Sequence, residues 1–292
     1  MKWVYTIYKR LLRSRWEVGF VRGGLDGVFS GTSLKVDWIV NPFRDRWFAD
    51  PFILDVTKDY VYVLAEEFEF KTQKGRIAKL TINRRKCIIE SYTILLELPT
   101  HLSFPNILRR NGKIYVYPES CHSGKLVLYE LDSKQEKLVP VQTICDDSIW
   151  DSSIVDLNGS LQLFTSNKND YSLDIYDWND GISRFVYSKS IPSVDRSSRM
   201  AGQLFEYHGT IYMPSQYCEK TYGGSVIIKE VSVNDNQYSF REIQRLESPH
   251  PKRKAKLHTL NVYKDIVIID VGGYDFPCIA NLLKRISKSL KK

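Results

Sequence analysis

The chain has 292 residues and a net charge of +8, with 43% hydrophobic, 26% charged and 13% aromatic residues. This composition excludes a disordered or fibrous chain, and the length allows a sizeable core in one large β domain or two small ones. The positive charge favours an anionic partner, but no nucleic-acid-binding motif accompanies it. The five cysteines include no Cys-x-x-Cys pair, which predicts free thiols rather than a metal site or a disulfide framework.

Residues 1–39 are predicted to form an amphipathic N-terminal segment and a lead-in to the main domain. On a helix over residues 3–15, apolar side chains share one face and basic side chains the other. Such a helix binds anionic membrane surfaces, but a helix that caps the domain or packs in a partner shows the same pattern. The segment lacks the apolar core of a signal peptide. We therefore expect a cytoplasmic protein, peripheral on the inner face of its membrane.

An internal repeat organises residues 40–278. Each repeat begins near a small or acidic residue, runs into an apolar strand, crosses a tight turn and enters an aromatic-rich second strand. The five starts lie near Asp50, Ser103, Asp151, Gly202 and Thr259. A spacing of roughly 50 residues is that of a four-stranded propeller blade. The sequence therefore predicts an all-β fold, a five-bladed β-propeller.

The turns within the repeats support this fold. Asn111-Gly112, Asn158-Gly159 and His208-Gly209 separate alternating strands, as a type I′ hairpin requires. A third strand is predicted after four of the hairpins, at residues 76–82, 125–131, 173–178 and 225–231. Residues 279–292 are predicted as a basic amphipathic C-terminal helix, a second means of contact with an anionic membrane surface.

Short motifs spread over the repeats carry a family resemblance. They are RWFADPF at 46–52, EEF at 66–68, HLSFP at 101–105, YPES at 117–120, WDS at 150–152, RMAG at 199–202, PSQYC at 214–218, YGG at 222–224 and HTL at 258–260. Together they resemble the N-terminal domain of plant glucosamine inositolphosphorylceramide transferase and bacterial relatives found with cell-surface polysaccharide genes. That group lies in the arabinanase, levansucrase and invertase superfamily. The resemblance covers about residues 40–275 and implies a propeller that acts on a carbohydrate.

The repeat also locates a candidate site. The innermost strand of each blade lines the central channel, so the strand starts at Asp50, Asp151 and His258 converge on one mouth. Glu119, at the end of a second strand, is expected near the same axis. Glycosyl transfer and hydrolysis commonly use a pair of carboxyl groups.

The catalytic residues are predicted to be Asp50, Asp151 and Glu119. The resemblance implies that Asp50 is the base or nucleophile and that Asp151 orients the substrate or tunes a pKa. Glu119 is predicted as the general acid. The alternatives are turn capping by the two aspartates and a salt bridge between blades for Glu119.

Eight further residues are predicted to bind substrate. His101 and His258 are expected to contact sugar hydroxyls, Trp47 and Trp150 to stack on a sugar ring, and Arg196 and Arg199 to bind phosphate. Gln216 and Tyr222, in the motifs that close the fourth blade, complete the set. Packing between blades is the alternative for the aromatic residues. No cofactor is required by the sequence, although the resemblance allows an axial metal ion near His258.

One departure from the superfamily bears on the reaction. Its hydrolases place an acidic glutamate near the fourth blade, where this chain has Ala201-Gly202-Gln203. A donor with a phosphate leaving group needs no strong general acid. We therefore expect a glycosyltransferase of bacterial capsular or O-antigen polysaccharide synthesis. It would use a nucleotide sugar or sugar phosphate as donor and a glycan or lipid-linked acceptor. The alternatives are an arabinanase-like glycoside hydrolase and a non-catalytic glycan-binding scaffold.

Overall fold

The computed structural model describes residues 14–280, except for residues 158, 168, 194, 220, 235 and 236. The strands of this part of the chain form five antiparallel sheets, and each sheet is one blade. The predicted five-bladed β-propeller is thereby confirmed. In the same residues, no helix is long and apolar enough to cross a bilayer.

The strands follow one another blade by blade. The chain enters through β1 (Ser14–Val21), α1 (Gly24–Phe29) and β2 (Val36–Trp38). Blade 1 contains β3 (Arg46–Val56), β4 (Tyr60–Glu69), β5 (Lys74–Asn83) and β6 (Ile88–Leu96). Blade 2 contains β7 (Ser103–Arg110), β8 (Lys113–Glu119), β9 (Leu126–Asp132) and β10 (Lys137–Cys145), with a 3₁₀ turn at Cys121–Ser123. Blade 3 contains β11 (Trp150–Leu157), β12 (Ser160–Ser166), β13 (Leu173–Asn179) and β14 (Arg184–Ile191).

Blade 4 contains an interrupted inner strand, β15 (Arg199–Met200) and β16 (Phe205–Tyr207), followed by β17 (Thr210–Tyr217), β18 (Ser225–Asn234) and β19 (Gln237–Leu246). Blade 5 begins with β20 (Lys256–Tyr263) and β21 (Ile266–Tyr274). The predicted third strands correspond to β5, β9, β13 and β18. The backbone at His208-Gly209 has φ values of 50° and 73°, as a type I′ turn requires.

The N-terminal strands complete the fifth blade. β1 pairs with β21 from Ser14 opposite Tyr274 to Val21 opposite Val267, and β2 pairs with β1 on the outside. The fifth blade therefore includes residues from Ser14 onwards, which lie before the predicted propeller boundary at residue 40. Without β1, the edge of β21 would be left unpaired. The helices predicted at both termini lie outside the described residues, apart from 14–15, which belong to β1, and 279–280.

Ion pairs fasten this closure. Arg253, which precedes β20, is buried and donates to Glu17 at 2.8 Å, to Asp275 at 2.8 Å and to the Tyr274 carbonyl at 2.9 Å. His250 Nε2 lies 2.9 Å from the second oxygen of Glu17. The loop before the β20–β21 hairpin thereby holds β1 in place.

The inner strands are bulged where they reach the channel. The pairing register shifts at Asp50 in β3, Phe104 in β7, Asp151 in β11 and His258 in β20. Three of these residues have positive φ: 48° at Asp50, 45° at Phe104 and 25° at Asp151. A bulge re-aims a side chain and leaves backbone groups outside the ladder. At Asp50, Asp151 and His258 the bulges place polar side chains of three blades in the interior, whereas the Phe104 ring packs against Phe52 in the hydrophobic core.

Loss of the Arg253 contacts should weaken the closure. We expect Arg253→Met to lower the free energy of unfolding by about 2 kcal/mol, since both carboxylate partners keep some contact with water. Chemical denaturation measures the change. Arg22→Met, in the exposed Arg22–Asp37 pair of the same blade, should lower the free energy of unfolding much less, because solvent screens an exposed ion pair. Equal losses of unfolding free energy in the two variants would contradict the proposal that Arg253 stabilises the closure of blade 5.

Candidate functional site

The site begins at the bulge of β3, where the Asp50 side chain meets the fifth blade. Asp50 Oδ1 lies 3.0 Å from His258 Nδ1, and the same nitrogen lies 3.4 Å from Asp270 Oδ2. All three side chains are buried. Asp270 also accepts hydrogen bonds from the backbone N–H groups of Asp50 at 2.9 Å and Thr259 at 2.7 Å. The bulged strands of blades 5 and 1 therefore share one buried carboxylate.

The groups around His258 favour its protonated form. Burial alone would lower the pKa of His258, but Tyr222, Asp50 and Asp270 outweigh burial and raise that pKa well above its usual range. Burial raises the pKa of Asp50, and His258 opposes the rise. Each group of the His258–Asp50 pair therefore favours the charged form of the other.

The same three side chains are the candidate ligands for the metal ion expected near His258. The ligand atoms of Asp50, His258 and Asp270 lie within 4.8 Å of one another, as a metal site requires. However, His258 Nδ1 faces the carboxylates and His258 Nε2 lies 2.6 Å from the Tyr222 hydroxyl. Both imidazole nitrogens are thus already engaged by protein groups, and His258 would have to give up one of these contacts to bind a cation. An axial ion near His258 stays an expectation.

A second cluster joins blades 2, 3 and 4. Arg199 Nε donates to Asp151 Oδ2 at 2.6 Å, and Glu119 Oε2 accepts from the Asp151 backbone N–H at 3.2 Å. Burial would raise the pKa of Asp151, but Arg199 and a hydrogen bond with Glu119 bring it below its usual range. Burial and the Asp151 carboxylate raise the pKa of Glu119 well above its usual range. Arg199 therefore favours the charged form of Asp151, whereas burial and the Asp151 carboxylate favour the protonated form of Glu119.

Two aromatic rings support Arg199. Its guanidinium lies 4.7 Å from the ring centroids of both Trp150 and Tyr222. Since the Tyr222 hydroxyl contacts His258, the tyrosine links the two clusters. Gly223, at φ 60°, brings this loop so close that an added Cβ would lie 2.7 Å from the His258 ring.

Gln216 holds the Asp151 carboxylate in position through a hydrogen bond. This side chain is fully buried and donates to Asp151 Oδ2 at 3.3 Å and to the Met200 carbonyl at 2.9 Å. Its polar atoms are therefore used inside the protein, where they position the carboxylate. A direct contact between Gln216 and substrate stays a prediction.

Trp47 and Arg196 are two other residues that were predicted to bind substrate. Trp47 is buried and stacks on Phe68, with ring centroids 4.7 Å apart and planes 2° apart. One face of the indole is thus already covered. Arg196 is exposed, and its guanidinium lies 5.2 Å from the Tyr171 ring centroid.

The fourth blade brings no carboxyl group to the channel among the described residues. A Cβ added to Gly202 would lie 2.1 Å from the Leu260 carbonyl oxygen, so no larger side chain fits there. Glu206 lies further along, on β16, and is exposed. At Gly202 in the fourth blade, close packing against the Leu260 backbone therefore leaves no room for an acidic side chain.

Three residues complete the site without having been predicted. Glu66 lies 3.1 Å from His101 Nε2 at the edge of the first cluster. Asp270 is buried in that cluster, and the Trp16 ring packs 4.8 Å from the His258 ring. For Asp270 and Trp16 the neighbouring sequence offered a signal. Asp270 is the one acidic residue of an apolar strand, and Trp16 alternates with Val18 and Phe20.

Solved structures that superpose on the chain include glycoside hydrolases. A GH43 β-xylosidase/α-arabinofuranosidase from a compost microbial metagenome has a TM-score of 0.55 at 12% identity, covering 80% of this chain and 92% of that chain. A family 117 glycoside hydrolase from Zobellia galactanivorans has a TM-score of 0.52 at 12% identity, covering 89% and 91%. At such identity the likeness shows the fold alone.

Similar sequences include transferases from plants. Glucosamine inositolphosphorylceramide transferase 1 from Arabidopsis thaliana is 29% identical over 221 residues, which are 72% of this chain and 29% of the relative. The protein of the same name from Oryza sativa subsp. japonica is 27% identical over 199 residues, 65% of this chain and 27% of the relative. The chain thus spans less than a third of the length of these relatives.

A family model covers most of the propeller. It is described as glucosamine inositolphosphorylceramide transferase 1, N-terminal, and matches residues 37–264. The match contains Asp50, Glu66, Glu119, Asp151 and His258, and it ends before Asp270. The chain therefore belongs to the family of the N-terminal domain of glucosamine inositolphosphorylceramide transferase 1.

Proposed function

We propose that this chain is a glycosyltransferase that moves a sugar from a phosphate-bearing donor to a hydroxyl group at the mouth of the propeller. The observation that carries the proposal is the unequal environment of two neighbouring buried carboxyl groups. Asp151 accepts a hydrogen bond from Arg199 at 2.6 Å, which lowers the pKa of Asp151 against the effect of burial. Glu119 accepts from the Asp151 backbone N–H at 3.2 Å, and burial and the nearby Asp151 carboxylate raise the pKa of Glu119. Pairs of carboxyl groups whose pKa values are pushed apart commonly divide acid and base roles.

Each catalytic residue has a place in this scheme. Asp50 acts at the anomeric centre, as base or nucleophile. Glu119 gives its proton to the departing oxygen where the leaving group needs one. Asp151 keeps Arg199 in position and stabilises positive charge that develops on the sugar.

Arg199 supports a donor with phosphate. Asp151 accepts the Nε–H, and within the described residues no hydrogen bond engages the two Nη nitrogens. A planar guanidinium fixed over two rings is suited to bidentate contact with phosphate oxygens. Exposed Arg196 adds positive charge at the rim. We therefore propose a nucleotide sugar or sugar phosphate as the donor.

The names of the relatives suggest the acceptor. They denote transfer to inositolphosphorylceramide, a lipid that carries phosphate and sugar-like hydroxyls. For this chain we propose a lipid-linked or growing glycan acceptor, consistent with a role in surface polysaccharide assembly. A glycoside hydrolase is the second candidate, because a protonated Glu119 would also serve a leaving group that is not a phosphate.

Asp50→Asn should abolish turnover without unfolding the protein. Asparagine tolerates the positive φ at this position, while loss of the carboxylate removes a group worth 10²–10⁴-fold in rate (about 100-fold or more is expected). Donor turnover by purified protein, with nucleotide sugars and sugar 1-phosphates, measures the effect. Asp55→Asn, exposed on the same strand, is the control and should retain at least about half the rate. Retained turnover in Asp50→Asn would refute the role of this carboxylate.

Arg199→Lys should weaken donor binding at least about tenfold, because a lysine keeps the charge but loses the planar fork. The thermal shift produced by nucleoside diphosphates and sugar phosphates reports this binding, since a ligand that binds only the native state stabilises it. Arg109→Lys is the matched control. Arg109 also lies over a ring, that of Tyr263, but donates to the Ile53 and Leu54 carbonyls. Shifts by oligosaccharides alone, unaffected by Arg199→Lys, would favour the hydrolase or a glycan-binding module.

A further inference from the structure

Glu66 and Glu119 occupy equivalent positions in neighbouring blades. Glu66 in β4 pairs with Ala49, the residue before the bulge at Asp50. Glu119 in β8 pairs with Ser103, the residue before the bulge at Phe104. The second strands of blades 1 and 2 therefore each present a glutamate beside the turned side chains of the inner strands.

A histidine holds Glu66 in a defined state. His101 Nδ1 accepts a hydrogen bond from the Gly75 backbone N–H at 3.0 Å, so the imidazole proton lies on Nε2. That nitrogen is 3.1 Å from Glu66 Oε1 and donates to it. The donated hydrogen bond favours a carboxylate that can still accept a proton on its other oxygen.

The pair lies at the wetter edge of the site. The His101 side chain is 39% exposed and that of Glu66 is 8% exposed, whereas the Asp50 side chain is 3% exposed. A Cβ added to Gly75 would lie 2.7 Å from both Glu66 Oε1 and the His101 ring, so the backbone is fitted closely to the pair. A proton taken up by Glu66 thus has a short route to solvent past His101.

We propose that Glu66, positioned by His101, is the general base that deprotonates the acceptor hydroxyl. This role rests on the proposed transferase function. The acceptor oxygen forms the new bond to the anomeric carbon while its proton moves to Glu66. The bond between the anomeric carbon and the leaving oxygen breaks, and its electron pair departs with the phosphate. In this single displacement Asp50 stabilises the positive charge that develops at the anomeric centre.

The charges around Glu66 agree with this role. Burial raises the pKa of the Glu66 carboxyl to about 7, the hydrogen bond from His101 limits the rise, Asp50 adds to it and His258 opposes it. A base works best when its pKa lies near the operating pH. The equivalent Glu119 lies beside the Asp151 carboxylate, and burial and that carboxylate raise the pKa of Glu119 well above its usual range, which suits the opposite role.

The pH dependence of transfer tests the assignment. For the wild type, kcat/KM should fall as the pH drops through about 7, because protonation removes the base. Glu66→Gln should lower kcat/KM at least about 100-fold and abolish this acidic limb. Glu69→Gln, on the same strand but in a partly exposed ion-pair network, should change neither. An active Glu66→Gln enzyme that keeps the limb would overturn the proposal.

A second variant covers the case in which Glu66→Gln does not fold. His101→Gln removes the imidazole donor, so the pKa of Glu66 should rise and the acidic limb should move to higher pH. An unmoved limb in a folded, active His101→Gln enzyme would also overturn the assignment. Wild type that transfers no sugar from any donor refutes the transferase itself. Active wild type and inactive Asp50→Asn, with fully active Glu66→Gln, refute only the base.

Discussion

The bulges at the channel create backbone N–H groups that no strand ladder can satisfy, and the buried acidic side chains of neighbouring blades satisfy them. Asp270 of blade 5 accepts from the Asp50 N–H of blade 1, and Asp50 Oδ2 accepts from the Phe104 N–H of blade 2 at 3.2 Å. Glu119 of blade 2 accepts from the Asp151 N–H of blade 3. Because a buried N–H without a partner is costly, these carboxyl groups are part of the fold as well as of the site.

The remaining boundaries are closed by ion pairs and hydrogen bonds between side chains. Asp151 of blade 3 binds Arg199 of blade 4, and Tyr222 of blade 4 contacts His258 of blade 5. The network thus passes once around the ring. Groups fixed in this way need little reorganisation when charge develops on a substrate, which is the condition for electrostatic catalysis. The same dependence explains why variants of these residues need stability measurements beside the activity assay.

The blades could be predicted because their hairpins are specified by residues that are close together in the sequence. A hairpin such as that around Asn111-Gly112 is specified by a few consecutive residues, and five such units at one spacing predict a closed ring. Asp50, Asp151 and His258 followed from that spacing, since equivalent positions in a ring must converge. Glu119 followed less directly, from its place at the end of a second strand.

Other features depend on partners that are distant in sequence. Strand β1 has a visible alternation at Trp16, Val18 and Phe20, but its partner β21 is at the opposite end of the chain, and the preceding basic stretch favours a helix. Glu66 stands beside Glu67, and alternation along β4 sends the two to opposite faces. Glu67 pairs with Arg46 and Arg76, while Glu66 meets His101. Nothing in a single sequence tells which of two adjacent glutamates faces the channel.

The pairing of β1 with β21 in blade 5 also determines when the propeller can close during synthesis of the chain. Ser14 leaves the ribosome before its partner Tyr274, which follows only after roughly 10 to 50 s at a translation rate of about 5–20 residues per second. During this interval blades 1 to 4 can form successively from hairpins, whereas β1 and β2 have no sheet to join. An unpaired strand that carries Trp16, Val18 and Phe20 is a template for wrong pairing with another nascent chain. Protein yield in cells should therefore depend on how long this early strand must wait.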